Sequence, residues 1–232
     1  ENVVITGFNV GVLSSWAGLL MFENQLQIQN TIQFGIRIQA SNGASSPRGA
    51  FVSAKDLHIS STLGVGVNII NNPNNFKLTA TSSSTINIPN GIAISAITTD
   101  ASPRVQLTLG NTQITAERAI VATNVQKITT AALTATIVKS NNMYPMDCTK
   151  TDVLITGAFT WTQSGVTAGI LQFEEINQSF IVQGPTIINY NGNKNKTPSE
   201  IKIFACDAKI YEFNINFRAV TAVGFRDFSK IT

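Results

Sequence analysis

NVVITG occupies residues 2–7, and DVLITG occupies residues 152–157. Each is followed at nearly the same distance by a second echo, GLLMFE at 18–23 and GILQFE at 169–174. Long-range self-similarity of this kind marks a repeating unit, and it has to be read before any single element. With Ile5 as anchor, similar short runs recur: LQIQ at 26–29, LHIS at 57–60, INIP at 86–89, TQIT at 112–115, VLIT at 153–156 and SFIV at 179–182. The anchors are Ile5, Ile28, Ile59, Ile88, Ile114, Ile155 and Ile181, all isoleucine. Two positions earlier stand Val3, Leu26, Leu57, Ile86, Thr112, Val153 and Ser179, and the residue between is often polar, as at Gln27, His58, Asn87 and Gln113. Alternation with period two indicates a strand with one buried face.

The anchors are spaced 23, 31, 29, 26, 41 and 26 residues apart. Most intervals hold two further strand-like runs. VGVL at 10–13, GIRIQ at 35–39 and GVNII at 66–70 follow anchors, and LLMFE at 19–23, AFVSA at 50–54 and FKLTA at 76–80 precede the next ones. An antiparallel sandwich also has many short strands, but it does not require one residue type at one place in every third strand. A solenoid does, because each coil sits on the last about 4.8 Å away and equivalent side chains form a column. An isoleucine ladder is therefore predicted. Asn24, Asp56, Asn111, Asp152, Asn177 and Asp207 lie in or beside one tight corner of the unit. Asn and Asp tolerate left-handed backbone and bond their own chain locally. Other connections are longer and variable, such as SNGASSPRG at 41–49 and NNPNN at 71–75.

Three short strands per coil, coils of 23 to about 32 residues and an Asn-rich corner resemble the right-handed parallel β-helix, the fold of pectate lyases, polygalacturonases and many phage tailspikes. The resemblance implies an all-β solenoid of about eight coils, of order 35–40 Å long. One domain over 1–232 is expected. The 41-residue interval is read as an inserted excursion at 139–151, and 209–232 as a capping or docking segment. The two echoes are read as one coil position met twice.

Composition narrows the function classes. Hydrophobic residues make up 43% of the chain, enough for a substantial core, while charged residues make up only 12%, about half the usual share. The net charge of +3 is spread out, and the densest basic group, Lys194, Lys196, Lys202 and Lys209, has no interleaved aromatics to suggest nucleic acid. Cys148 and Cys206 lack metal-ligand spacing, so buried thiols are expected. No apolar run reaches about 18 residues, and the first residues have no signal-peptide layout.

Catalytic patterns are sparse. Glu174 and Glu175 are neighbours on a strand, so they point to opposite faces and cannot form a facing pair of glycosidase carboxylates. The motifs that mark polygalacturonases are missing, and Arg37-Ile38-Gln39 only approaches one of them. The single histidine, His58, is expected to point outward with Gln27 and Asn87 beside it. No cofactor or metal site is assigned. Trp16 and Trp161 near turns are candidate carbohydrate or partner contacts, because aromatic faces stack on sugar rings.

The first strand-like run begins at residue 3, so another segment or subunit is expected to cover its open edge. The reading is a non-enzymatic structural protein of a virus or phage particle, located in the virion or at a cell surface, with copies of itself or other subunits as partners. The alternative is an extracellular carbohydrate-active enzyme or sugar-binding module, with Asp100, Arg104 and Arg48 between the loops at 41–49, 71–75 and 98–103. Ile88→Asp is expected to abolish folding by placing an unpaired carboxylate in the core.

Overall fold

A computed structural model describes residues 1–14, 18–39, 50–70, 76–98, 104–138, 144–164, 169–191, 199–210, 213–218, 223–226 and 230–231. Its strands are β1 (Val3–Thr6), β2 (Val10–Ser14), β3 (Gly18–Gln29), β4 (Phe34–Gln39), β5 (Ala50–Ser60), β6 (Leu63–Ile70), β7 (Phe76–Ile97), β8 (Val105–Thr123), β9 (Lys127–Ile137), β10 (Met146–Thr149), β11 (Asp152–Ile155), β12 (Phe159–Ser164), β13 (Gly169–Val182), β14 (Thr186–Asn191), β15 (Ser199–Ile210), β16 (Phe213–Arg218), β17 (Val223–Arg226) and β18 (Lys230–Ile231). Every pairing is parallel, as stacked coils require. The chain is a parallel β-solenoid with no helix among the described residues, and none is therefore long and apolar enough to cross a membrane.

The strands form three walls. Wall 1 stacks β1, β3, β5, β7, β8, β9, β12, β14 and β16 through their anchor segments, nine strands deep, so the coil number departs slightly from the eight expected. Wall 2 runs from β2 through β4, β6 and the ends of β7 and β8 to β10, β13, β15 and β17. Wall 3 starts at Gly18–Phe22 and runs to β11, the end of β13, the end of β15 and β18. The longest strands turn corners without losing their pairing, and register shifts such as Phe22/Gln25, Ala54/Asp56 and Ala80/Ser83 mark those bends.

The register corrects the ladder. The column that begins at Ile5 continues through Ile28, Ile59, Ile86, Ile114, Ala135, Trp161, Ile188 and Ile215. Ile88 is not in it but one inward position further on, in line with Ala116 and Ile137. Ile86 and Ile88 both point inward, and the register of β7 on β5 and β8 sets Ile86 opposite Ile59 and Ile114. Ile155 is buried on wall 3 between Thr130 and Val182, and Ile181 pairs with Leu154 on the outward side of wall 3, half-buried. The column's spacings are 23, 31, 27, 28, 21, 26, 27 and 27 residues, so the 41-residue gap disappears. It arose because Ala135 hides a rung that an isoleucine search passes over.

The echoes are corrected in the same way. NVVITG lies on wall 1 and DVLITG on wall 3, while GLLMFE lies on wall 3 and GILQFE on wall 2. The second copy of the pattern is thus displaced by one wall. Each wall has one buried and one outward face, so the same alternation suits all three. Within the predicted excursion, Met146–Thr149 is an ordinary wall 2 rung paired with β8 and β13. Backbone pairing also continues through β16, β17 and β18 in the segment expected to cap or dock.

The corner residues also divide. Asp56 pairs with Gln25 and Ser83, and Ser83 with Asn111, so these lie at the bend from wall 3 to wall 1, as does Asn24. Asp152 and Asp207 open wall 3 strands, with Asn177 just before one. Each kind of corner is tied to the next coil through a carboxylate. Ser83 Oγ donates to Asp56 Oδ1 at 2.6 Å, and Ser179 donates its backbone N–H and its Oγ to Asp152 Oδ1 at 2.8 and 3.0 Å. Among the described residues the left-handed non-glycine positions are others: Asn30, Asn124 and Lys150, with φ of 53°, 59° and 49°.

The interior is continuous from Val12 to Tyr190 and changes character along the shaft. Isoleucines fill wall 1 in the first coils, and wall 2 answers with small residues at its first bend. A Cβ on Gly35 would lie 2.6 Å from Ile59 Cγ2, and one on Gly66 2.6 Å from Ile86 Cγ2. Later, Ala135 leaves room beside Trp161, which packs edge-on to Phe159, and Phe159 edge-on to Phe180. Close packing then needs aromatic volume where the aliphatic ladder has stopped.

Candidate interaction surface

The three outer faces differ most in the middle coils. Wall 1 presents His58, Ser60, Thr85, Asn87, Gln113 and Thr115. Wall 3 presents Lys77, Thr79, Gln106, Thr108, Lys127 and Thr129. Both are uncharged-polar or basic, as a solvated parallel sheet should be.

Wall 2 is different. Its outward positions include Val10, Leu13, Phe34, Val65, Ile70, Ile92, Ile97 and Val121. Leu13 is 59% exposed and Ile97 41%, and the others are half-buried. The bend leading into this wall adds exposed Phe8, Ile32 and Leu63. The sequence held a signal for this face: GVNII and IAISAI do not alternate, and an apolar run without alternation means a strand covered on both faces.

A polar line crosses the apolar field. In successive rungs stand Leu13, Arg37, Asn68, Ser95, Val121 and Asp147. The Arg37 guanidinium lies 4.6 Å from the Phe34 ring centroid, a cation–π contact. Asn68 and Ser95 face outward yet are only 6% and 7% exposed. Arg37 Nε and Asn68 Oδ1 are buried without a hydrogen-bond partner, which is costly unless something supplies one. Further on, Arg118 reaches Asp147 Oδ2 at 3.4 Å and donates its Nε to the Tyr144 carbonyl at 3.3 Å. Burial holds the Arg118 guanidinium below its ordinary pKa, opposed by the charges of Asp147 and Glu117.

Long stretches of chain connect this wall to its neighbours. Residues 40–49, 71–75 and 98–104 join wall 2 to wall 3 in the first half of the shaft, and 192–198 joins wall 1 to wall 2 in the second.

The other sequence-predicted sites fare differently. Trp161 is not a surface contact: it is fully buried in the wall 1 column, with Nε1–H donating to Gln163 Oε1 at 3.0 Å. An inward position at period two leaves it no route to a sugar. Trp16, Asp100 and Arg48 lie outside the described residues, and Arg104 is exposed. His58 does point outward, but its rung neighbours are Gln27 and Thr85 rather than Asn87, because the register follows Ile86. Cys148 is buried on wall 2 and forms no disulfide, and Cys206 pairs on wall 3. Among the described residues no three His, Cys, Asp or Glu side chains gather as metal ligands would. The chain matches no family model, no curated protein and no solved structure.

Proposed function

We propose that this chain is a non-enzymatic structural shaft, a spike or fibre component of a virus or phage particle, which works inside a larger assembly through the outer face of wall 2. The observation that carries this reading is the contrast between outer faces in the middle coils, polar on walls 1 and 3 and apolar on wall 2 at Val65, Ile70, Ile92, Ile97 and Val121, whereas in the first coil wall 3 is apolar as well, with Leu19 and Met21 exposed. A contiguous apolar field rimmed by polar residues is characteristic of an interaction site. A solenoid suits the task, since stacked coils give a long straight face whose parts are held in register. The particle context is supported by the resemblance of the coil pattern to tailspikes and by the low share of charged residues.

The test is Leu13→Lys combined with Ile97→Lys. Both residues are exposed, so the fold should survive, as judged by circular dichroism and urea midpoint. Assembly, followed by native mass spectrometry of the full chain, should be lost. Unchanged assembly would overturn the reading.

The unsatisfied Arg37 Nε–H and Asn68 Oδ1 favour one second reading, a polysaccharide laid along the same wall, since a sugar hydroxyl both accepts and donates. Reducing-end release from an acidic polysaccharide that disappears in Asp100→Asn would promote that reading to an enzyme.

A further inference from the structure

Accepting wall 2 as the contact face, we infer that its first three coils dock an amphipathic α-helix of another protein, laid along the shaft on the bend into this wall, with a carboxylate opposite Arg37. The bend carries an exposed apolar column. Phe8, Ile32 and Leu63 stand two residues ahead of Val10, Phe34 and Val65, which pair in that order on successive rungs. They are 59%, 61% and 52% exposed. The Ile32 N–H donates to the Phe8 carbonyl at 3.2 Å, which holds the first two one rung apart. The next residue of the column is Asn90, and the apolar run stops there.

Spacing selects the form of the occupant. Rungs lie about 4.8 Å apart. A helix parallel to the shaft brings its apolar stripe round once per turn of about 5.4 Å, so across these three rungs it drifts by only about 1.2 Å. An extended segment laid the same way repeats on one face at about 6.7 Å and slips by about 2 Å at every rung. Nor can such a segment join the sheet at Ile32, because β4 is already paired on both sides, with β2 and β6.

Charge selects its chemistry. Arg37 is the only charged residue of β2, β4 and β6. Its guanidinium is drawn back over the Phe34 ring, 4.6 Å from the centroid, which brings the charge beside the apolar column at the rung of Ile32. Among the described residues no carboxylate pairs with it. A second copy seated on the same column would set Arg37 against Arg37, whether the shafts ran parallel or were related by a two-fold axis at that rung, a like-charge cost. A helix with Glu or Asp on the flank of its middle turn supplies the missing partner.

The probe is a lactam-stapled peptide with leucines at i, i+3, i+4 and i+7 and a glutamate beside the central pair, titrated against the full chain by fluorescence anisotropy. It should bind saturably. Ile32→Lys, at an exposed position that should leave the urea midpoint unchanged, should weaken binding by about tenfold or more. Arg37→Glu should weaken the glutamate peptide and favour its lysine counterpart. A peptide of the same composition with the apolar stripe scrambled should not bind. No saturable binding up to about 500 μM, equal binding of the scrambled peptide, or binding untouched by Ile32→Lys would overturn the inference. So would wild-type self-association that Ile32→Lys abolishes, since a second copy would then occupy the column. If the lysine pair at Leu13 and Ile97 abolished assembly while no peptide bound, wall 2 would remain the contact face and only the helix would be wrong.

Discussion

Replacing Ile86 and Ile181 by alanine separates the observed spine from the one an isoleucine count suggests. Ile86 is the fourth rung of the wall 1 column, fully buried between Ile59 and Ile114, with the glycine bend of Gly66 against its Cγ2. Alanine removes three carbons, a transfer loss of about 2.4 kcal/mol at ~0.8 per methylene. The space left is roughly 75 Å³, and at ~24 cal/mol per Å³ it adds about 1.8 kcal/mol if the stack does not collapse. Collapse is resisted because both neighbouring coils are held by backbone pairing on three walls. The expected loss is therefore about 4 kcal/mol, near the upper part of the range for such truncations. Ile181 points outward from wall 3 and is half-buried, so the same truncation opens no enclosed cavity and should cost about 1 kcal/mol. Urea unfolding followed by far-ultraviolet circular dichroism would measure both, with slopes compared to check that the transition keeps its cooperativity. Equal losses at the two positions would refute the column, and with it the register on which the wall assignments stand.

Three further outcomes are expected. Gly66→Ala should destabilise by about 1–3 kcal/mol through overpacking, since its Cβ would meet both Ile86 Cγ2 and the Ala93 carbonyl oxygen at 2.6 Å; adding Ile86→Ala should cost less than the sum of the two single changes in a double-mutant cycle. Lys150→Asn should raise stability by about 0.5–1 kcal/mol in urea melts, because Lys150 holds a left-handed backbone that Asn124 occupies one rung away. Asp56 has its pKa lowered below the ordinary 3.8, chiefly by the Ser83 hydroxyl, against a smaller opposing effect of desolvation. Its stabilising contribution is therefore present above that value and lost as pH falls through the folded-state pKa. The gap in urea midpoint between wild type and Asp56→Asn should accordingly narrow from pH 6 to pH 3, modestly, because the carboxylate is exposed.

Much of the architecture was legible because it is written in alternation. Leu26, Ile28, Leu57 and Ile59 with Gln27 and His58 between them could only be half-buried strands, and their spacing could only be coils. The position of the spine was less legible. Ala135 and Trp161 occupy rungs where a search for isoleucine finds nothing, and their volumes make sense only beside each other. Trp161 illustrates the same limit for the candidate site, since a tryptophan near a turn can equally be the largest piece of the core. The apolar face of wall 2 could have been found, because GVNII and IAISAI break the alternation that the wall 1 strands keep, but a search for carboxylates and histidines passes over it.

Taken alone, the order of residues determined that this chain is all-β and winds in stacked coils with an aliphatic interior, because period-two burial and a recurrent coil length are local properties that survive without knowing what touches what. Only the tertiary structure decided which wall each strand belongs to, that the two echoes lie one wall apart, and that Phe8, Ile32 and Leu63 stand in one exposed column beside wall 2. The physical reason is that three walls of a solenoid impose the same inward–outward alternation, so the pattern is degenerate among them. One bulge at a corner, such as Ala80/Ser83, shifts the register without leaving a mark in the hydrophobic pattern.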